Sequence, residues 1–274
     1  MCELMAMSAK LPTDISFSFT GFVERGGNTG PHKDGFGICF YDGKGVREFK
    51  DHNPSCRSPI AQFLQNYPIK STNVISHIRQ ANVGDISLEN THPFHREMCG
   101  RIWTFAHNGQ MAITDIPEPR YYKPVGETDS EKLFCWLLGE LRSHCQNNAP
   151  MKLQAELLEK QCNYINQFGV SNILMSDGES LFVFCSTKLS WITRQAPFGK
   201  AHLTDADITI DFSAVTTEDD IVTVIATQPL TDNETWQAMV PGESRIFELG
   251  QCVRESFGPK IEHKKAEKQQ LFPE

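Results

Sequence analysis

The sequence predicts an α+β protein in which two β-sheets pack face to face between helical layers. Strand-like segments occupy both ends of the 274-residue chain, with a pair of amphipathic helices between them. Strands, then paired helices, then strands again is the order of a layered sandwich, not of alternating βαβ units. The chain is long enough to bury a full core and shows no linker. It therefore reads as one domain over residues 1–258, followed by a charged, solvated and flexible tail over 259–274.

Each element has a local reason. After a first strand, Pro12, Thr13 and Asp14 supply capping residues for a helix reaching about Arg25, with Ile15, Phe19, Phe22 and Val23 at helical spacing and Phe17 blurring the period. The glycine-rich run 26–35 lacks the spacing of a dinucleotide-binding loop and the Lys-Ser/Thr of a P-loop, and it leads into a strand. It is expected to wall an active site near residue 2. Residues 36–41 and 46–50 flank Asp42-Gly43-Lys44-Gly45 and predict a hairpin; 60–66 predicts a short helix.

Residues 73–79 form a buried strand pattern ending in Arg79, a charge that is either paired structurally or aimed into a site. The stretch 81–94 is polar and turn-rich. A strand over 102–107 then delivers Asn108-Gly109 at its end, where a hairpin turn is the usual meaning of the pair; no clear alternating strand follows to support one. Glu127-Thr128-Asp129-Ser130-Glu131 opens an amphipathic helix to about His144, with Leu133, Trp136, Leu137 and Leu141 on one face and Asp129 as a candidate N-cap. A second helix covers about 151–168. Strands follow at 171–175, 181–185, 189–194, 221–227 and 244–249, with a turn at Asp177-Gly178.

Composition excludes several classes. With 39% hydrophobic and 22% charged residues, and no apolar run approaching the length of a membrane span, the chain reads as soluble and globular. No basic segment followed by an apolar stretch marks a secretory signal, so a cytoplasmic location is expected. A formal net charge of -8 argues against nucleic acid as the main partner. The nine cysteines are scattered and contain no C-x-x-C pair, which suits reduced thiols.

Cys2 is the residue around which the chemistry gathers. Methionine aminopeptidase removes Met1 when the next side chain is small, as Cys2 is. Processing would leave a thiol and a free α-amine, with a reference pKa of about 7.7 to 8, on one residue: a nucleophile beside its own base. Taken alone, Cys2 is more simply the start of a strand.

The downstream motifs change that balance. Cys2, Ser76-His77-Ile78-Arg79-Gln80-Ala81, Asn90-Thr91-His92-Pro93, His107-Asn108-Gly109 and Glu127-Thr128-Asp129-Ser130-Glu131 stand in the order and approximate spacing of their counterparts in another family. The chain resembles the class II, N-terminal nucleophile, glutamine amidotransferases, and within them the stand-alone YafJ-type group. Arg25-Gly26-Gly27, Pro31-His32-Lys33-Asp34-Gly35 and Thr227-Gln228-Pro229-Leu230-Thr231 extend the resemblance over nearly the whole chain. One departure is clear: many relatives carry Trp after the arginine and a Thr-His pair beyond it, where this chain has Arg79-Gln80-Ala81-Asn82-Val83.

The resemblance implies a four-layer αββα sandwich of the N-terminal nucleophile hydrolase type and glutamine amidase chemistry. Cys2 is implied as nucleophile, the Asn108 side chain and the Gly109 amide as oxyanion donors, Arg79 as partner of the substrate carboxylate and Asp129 as partner of its ammonium. No cofactor and no metal are implied. The implied partners are glutamine or another γ-glutamyl amide, with either a separate ammonia-accepting subunit or simple hydrolysis. Two other readings stay open: an N-terminal nucleophile hydrolase of a different γ-glutamyl or related amide, and a non-catalytic or metal-binding relative using His77, His92, His95 and His107. No histidine pair has H-E-x-x-H spacing, which weighs against the metal.

Overall fold

A computed structural model describes residues 2–82, 84–144 and 150–261. The expected tail lies, from residue 262 onward, outside the described residues, as does Met1. In chain order the elements are β1 (Glu3–Asp14), α1 (Ser16–Glu24), β2 (Phe36–Asp42), β3 (Gly45–Asp51), α2 (Pro59–Asn66), β4 (Lys70–Ile78), β5 (Phe94–Met98), β6 (Arg101–Gln110), α3 (Asp129–His144) and α4 (Ala155–Ile165). There follow β7 (Val170–Ser176), β8 (Leu181–Cys185), β9 (Ser190–Gln195), β10 (Lys200–His202), β11 (Thr209–Asp211), β12 (Ile221–Ala226), β13 (Gln237–Ala238), β14 (Glu243–Glu248) and β15 (Gln251–Phe257).

Seven strands form one sheet in the order β13-β9-β12-β1-β4-β2-β3, and six form the other in the order β15-β14-β8-β7-β6-β5. The short pair β10-β11 stands apart. Strand β1 is apolar on both faces because both are covered. Its Met5 and Met7 pack with Phe19 and Phe22 of α1 and Leu64 of α2. Its Leu4 and Ala6 turn the other way, into a layer with Ile75 of β4, Ala106 of β6, Leu174 of β7 and Val183 of β8. On the far side of the second sheet, Phe105, Ile173 and Phe184 pack beneath Leu133, Leu137 and Leu141 of α3 and Leu158 and Ile165 of α4. The layers are therefore helix, sheet, sheet, helix, the expected four-layer sandwich. Among the described residues no helix is long and apolar enough to cross a membrane.

The short strands β10, β11 and β13 and the edge strand β15 were not expected, and three further details bear on the site. Strand β1 runs on to Asp14 through a register shift between Ser8 and Thr13, so only Asp14 turns the chain into α1, accepting from the Ser16 amide at 2.8 Å. Strand β5 was not expected: its centre, His95-Arg96-Glu97, is polar because it forms a sheet edge, which suppresses the apolar alternation. It turns into β6 through Cys99 and Gly100, both at positive φ (52° and 77°). Most relevant to function, Asn108-Gly109 is no turn. Both residues lie within β6, opposite Asn172 and Ser171 of β7.

Candidate active site

The register of the central sheet places the nucleophile candidate. Glu3 pairs with Ile78 and Leu4 with His77, so one step further Cys2 stands opposite Arg79. The Gln80 amide donates to Cys2 Sγ at 3.3 Å, and the thiol lies 3.5 Å from the Gln80 carbonyl. Thr227 holds the start of the strand from its other edge: the Leu4 amide donates to Thr227 Oγ1 at 2.8 Å and the Thr227 amide to the Leu4 carbonyl at 3.0 Å. Burial pushes the Cys2 thiol above its ordinary value; the Gln80 amide and the Arg79 charge oppose that rise.

Arg79 is buried just past the end of β4. Its guanidinium donates to the main-chain carbonyls of Asp85 at 2.9 Å and Gly84 at 3.2 Å. Burial lowers its pKa, while Cys2, Asp34 and Asp85 act against that. The backbone around it is clamped by the end of the glycine-rich loop. The Asp34 amide donates to the Arg79 carbonyl at 3.1 Å, the Arg79 amide to the Gly35 carbonyl at 2.8 Å, and the Ala81 amide to Asp34 Oδ2 at 2.7 Å. Gly35 adopts a φ of 112° there, and a Cβ on it would approach the Asp51 carbonyl to 2.8 Å.

Asp129 opens α3, yet it is not the N-cap. Thr128 Oγ1 takes that role, accepting from the Glu131 amide at 3.2 Å. Asp129 turns instead toward β6: its Oδ2 accepts from the Met111 amide at 2.9 Å and its Oδ1 from the Ser130 amide at 2.8 Å.

Cys2, Arg79, Gly109 and Asp129 line one narrow pocket, together with Gln80 and His107 among others. Only glycine fits at 109, since a Cβ would come within 1.8 Å of the Val170 carbonyl. Asn108 is not in the pocket lining. Strand alternation turns it to the inter-sheet side, where it is buried and its Oδ1 has no hydrogen-bond partner. The glycine-rich loop does not wall this pocket as expected. Its residues Thr29 and His32 border a larger, open cleft of about 750 Å³ that is also lined by Glu3, Arg25, Asp205 and Trp236. The polypeptide between Cys2 and Glu3 thus separates two pockets, because successive strand side chains point to opposite faces.

The four histidines do not form a ligand set. His77 and His92 lie in contact, 4.1 Å between ring centroids and tilted by 32°, with their ring nitrogens unpartnered. His107 Nε2 lies 3.2 Å from the Val170 carbonyl, which only accepts, so this nitrogen carries the proton and Nδ1 accepts from Ser130 Oγ at 2.8 Å. His95 lies apart, near Glu48 at 3.4 Å. Among the described residues no three His, Cys, Asp or Glu side chains gather as metal ligands. Gln80, Thr128, Ser130 and Thr227 were not singled out in the sequence for the parts they play here. Of these, only Thr128 carried a local signal, the Thr-x-x-Glu spacing of a helix start.

Comparison with known proteins identifies the family. The family model described as "Glutamine amidotransferases class-II" matches residues 1–271. YafJ of Escherichia coli (strain K12), provisionally named a glutamine amidotransferase, is 58% identical over 254 residues, covering 92% of this chain and all of that protein. A crystal structure of a predicted glutamine amidotransferase from Pseudomonas aeruginosa PA01 superimposes with a TM-score of 0.75 at 50% identity, covering 92% of this chain and 100% of that one. The glutamine phosphoribosylpyrophosphate amidotransferase of B. subtilis shares the fold at 14% identity, with a TM-score of 0.58 over 93% of this chain and 49% of that one. With a family model spanning nearly its full length and relatives of this identity, the chain belongs to the class II glutamine amidotransferases.

Proposed function

We propose that the protein cleaves the side-chain amide of glutamine through a thioester on Cys2, after removal of Met1. Cys2 Sγ attacks the amide carbon, and the thiol proton passes through the freed α-amine to the leaving nitrogen, which departs as ammonia when the C–N bond breaks. Water then adds to the acyl carbon, the C–S bond breaks, and glutamate and the thiol are released. The negative charge on the tetrahedral oxygen is met by the Gly109 amide and the Asn108 side chain. One such donor is typically worth about 10² to 10³ in rate. Arg79 takes the substrate carboxylate in a two-pronged contact, and Asp129 takes the ammonium.

The observation that carries this reading is the convergence of Cys2, Arg79, Gly109 and Asp129, from four separate segments, on one pocket. Incubation of the purified protein with glutamine, following glutamate and ammonia together, is the test. Absence of both products from protein shown by mass to lack Met1 would sink the proposal.

A further inference from the structure

Asn172 stands directly opposite Asn108 in the pairing of β6 with β7 and is 1% exposed. Its Oδ1 accepts from the amides of Ser186 and Thr187 at 3.0 Å each and of Lys188 at 3.3 Å. Only an oxygen can receive these N–H groups, so the side-chain amide has one orientation and its nitrogen is the donor. Nδ2 donates to Thr187 Oγ1 at 2.9 Å and to the main-chain carbonyl of Asn108 at 3.0 Å.

The second of these bonds acts on the peptide unit that matters. In a trans peptide the carbonyl of Asn108 and the N–H of Gly109 lie in one plane and point in opposite directions. Drawing the carbonyl toward β7 sends the Gly109 N–H away from it. On that other edge β5 pairs with β6 only as far as Phe94 and Phe105, so among the described residues no strand lies beside Gly109. Gly109 borders the Cys2 pocket there. A hydrogen bond accepted by a peptide carbonyl also polarises the unit and strengthens its N–H as a donor.

We infer that Asn172 is a positioning residue for the amidase reaction, one that aims and strengthens the Gly109 N–H as oxyanion donor through the Asn108 carbonyl. The inference rests on the oxyanion role proposed above for Gly109.

The discriminating variant is Asn172→Asp. It keeps an oxygen for the three amides of 186–188 but replaces the donor to Asn108 with a second acceptor. Its kcat for glutamine should fall roughly tenfold or more, short of or comparable to the loss of an oxyanion donor itself. Its KM, set by Arg79 and Asp129, should stay within about twofold. The ¹⁵N resonance of Gly109, which responds to hydrogen bonding at the preceding carbonyl, should shift. Thr187→Val removes the other partner of Nδ2 and should leave kcat within about twofold, which a merely structural role for Asn172 would not distinguish. Where the Asp variant does not fold, Asn172→Ala leaves the carbonyl unbonded without adding charge; because it also takes the acceptor from the amides of 186–188, it is read by the Gly109 resonance and by a fall in kcat at unchanged KM together. A wild-type protein inert toward glutamine overturns the reading of the site. A glutamine-active protein whose kcat survives Asn172→Asp overturns this inference alone, and an unmoved Gly109 resonance overturns it in either case.

Discussion

The guanidinium of Arg79 donates to the main-chain carbonyl of Asp85 at 2.9 Å. The pocket it borders holds only about 30 Å³, room for two or so water molecules. On the proposed function, glutamine would enter this pocket by exchanging its own carboxylate for the carbonyls that Arg79 now holds. Because that contact is present in both ground and transition states, Arg79→Ala is expected to raise KM for glutamine far more than it lowers kcat. Asp129→Asn, which removes a charge but keeps an acceptor for neighbouring amides, should behave in the same way. Asn108→Ala should do the reverse, lowering kcat by about 10² to 10³ with little change in KM. Steady-state kinetics on the three variants decide this, and parallel changes in both parameters for all of them would contradict the division of roles.

Loss of Met1 is the second expectation, since the mechanism needs a free amine on the residue that carries the thiol. Intact-mass measurement should show the chain one methionine short, and a glutamine-analogue electrophile should label Cys2. Labelling of any other cysteine with simultaneous loss of activity would show the wrong nucleophile has been chosen. The interior alternatives are poor ones: Cys39, Cys162 and Cys185 are fully buried and none of them lines the pocket that holds Cys2, Arg79, Gly109 and Asp129.

Stability should depend on the paired buried histidines, His77 and His92. Burial holds His77 and His92 well below their ordinary value, each reinforced by a neighbouring histidine, His107 for the first and His77 for the second. Their folded-state pKa values are lowered, so below the unfolded value of about 6.5 the unfolded chain takes up protons that the folded one refuses. Stability is then lost as pH falls below about 6.5, by about 1.4 kcal/mol per pH unit for each histidine until the folded pKa is reached. Urea unfolding should show lower stability at about pH 5.5 than at about pH 7, a difference that shrinks in His92→Phe. Equal stability at the two values would refute the effect.

The fate of the ammonia gives a fourth expectation. The proposed mechanism closes with water as acceptor of the acyl group and needs no second subunit, so hydrolysis is expected in preference to delivery of ammonia to a synthase. Affinity purification from native extract, with glutaminase activity measured before and after removal of co-purifying proteins, checks it. A stoichiometric synthase that stimulates turnover would reverse the preference.

Much of this molecule is legible along the chain because its causes are local. The apolar doublets of β1, the helical period of α3 and the Asp-Gly-Lys-Gly turn between β2 and β3 each depend on neighbours a few residues away. The motifs around Cys2, Arg79, Asn108-Gly109 and Asp129 were legible for a different reason, their resemblance to a known family. Strand β5 was not legible, since an edge strand needs no apolar alternation. Nor was the choice between capping and site for Asp129, which turned on the Met111 amide lying within 2.9 Å of its Oδ2. Whether Asn108-Gly109 makes a turn or the middle of a strand was decided by β7, whose Asn172 is 64 residues away in sequence. The contact between Cys2 and Gln80 spans 78 residues. Sequence by itself determined which chemical groups are present and where the helices and the strands with strong apolar patterns lie; tertiary structure decided the edge strands and which groups meet, because sheet register couples residues far apart and a slip of one position would turn each of them to the opposite face.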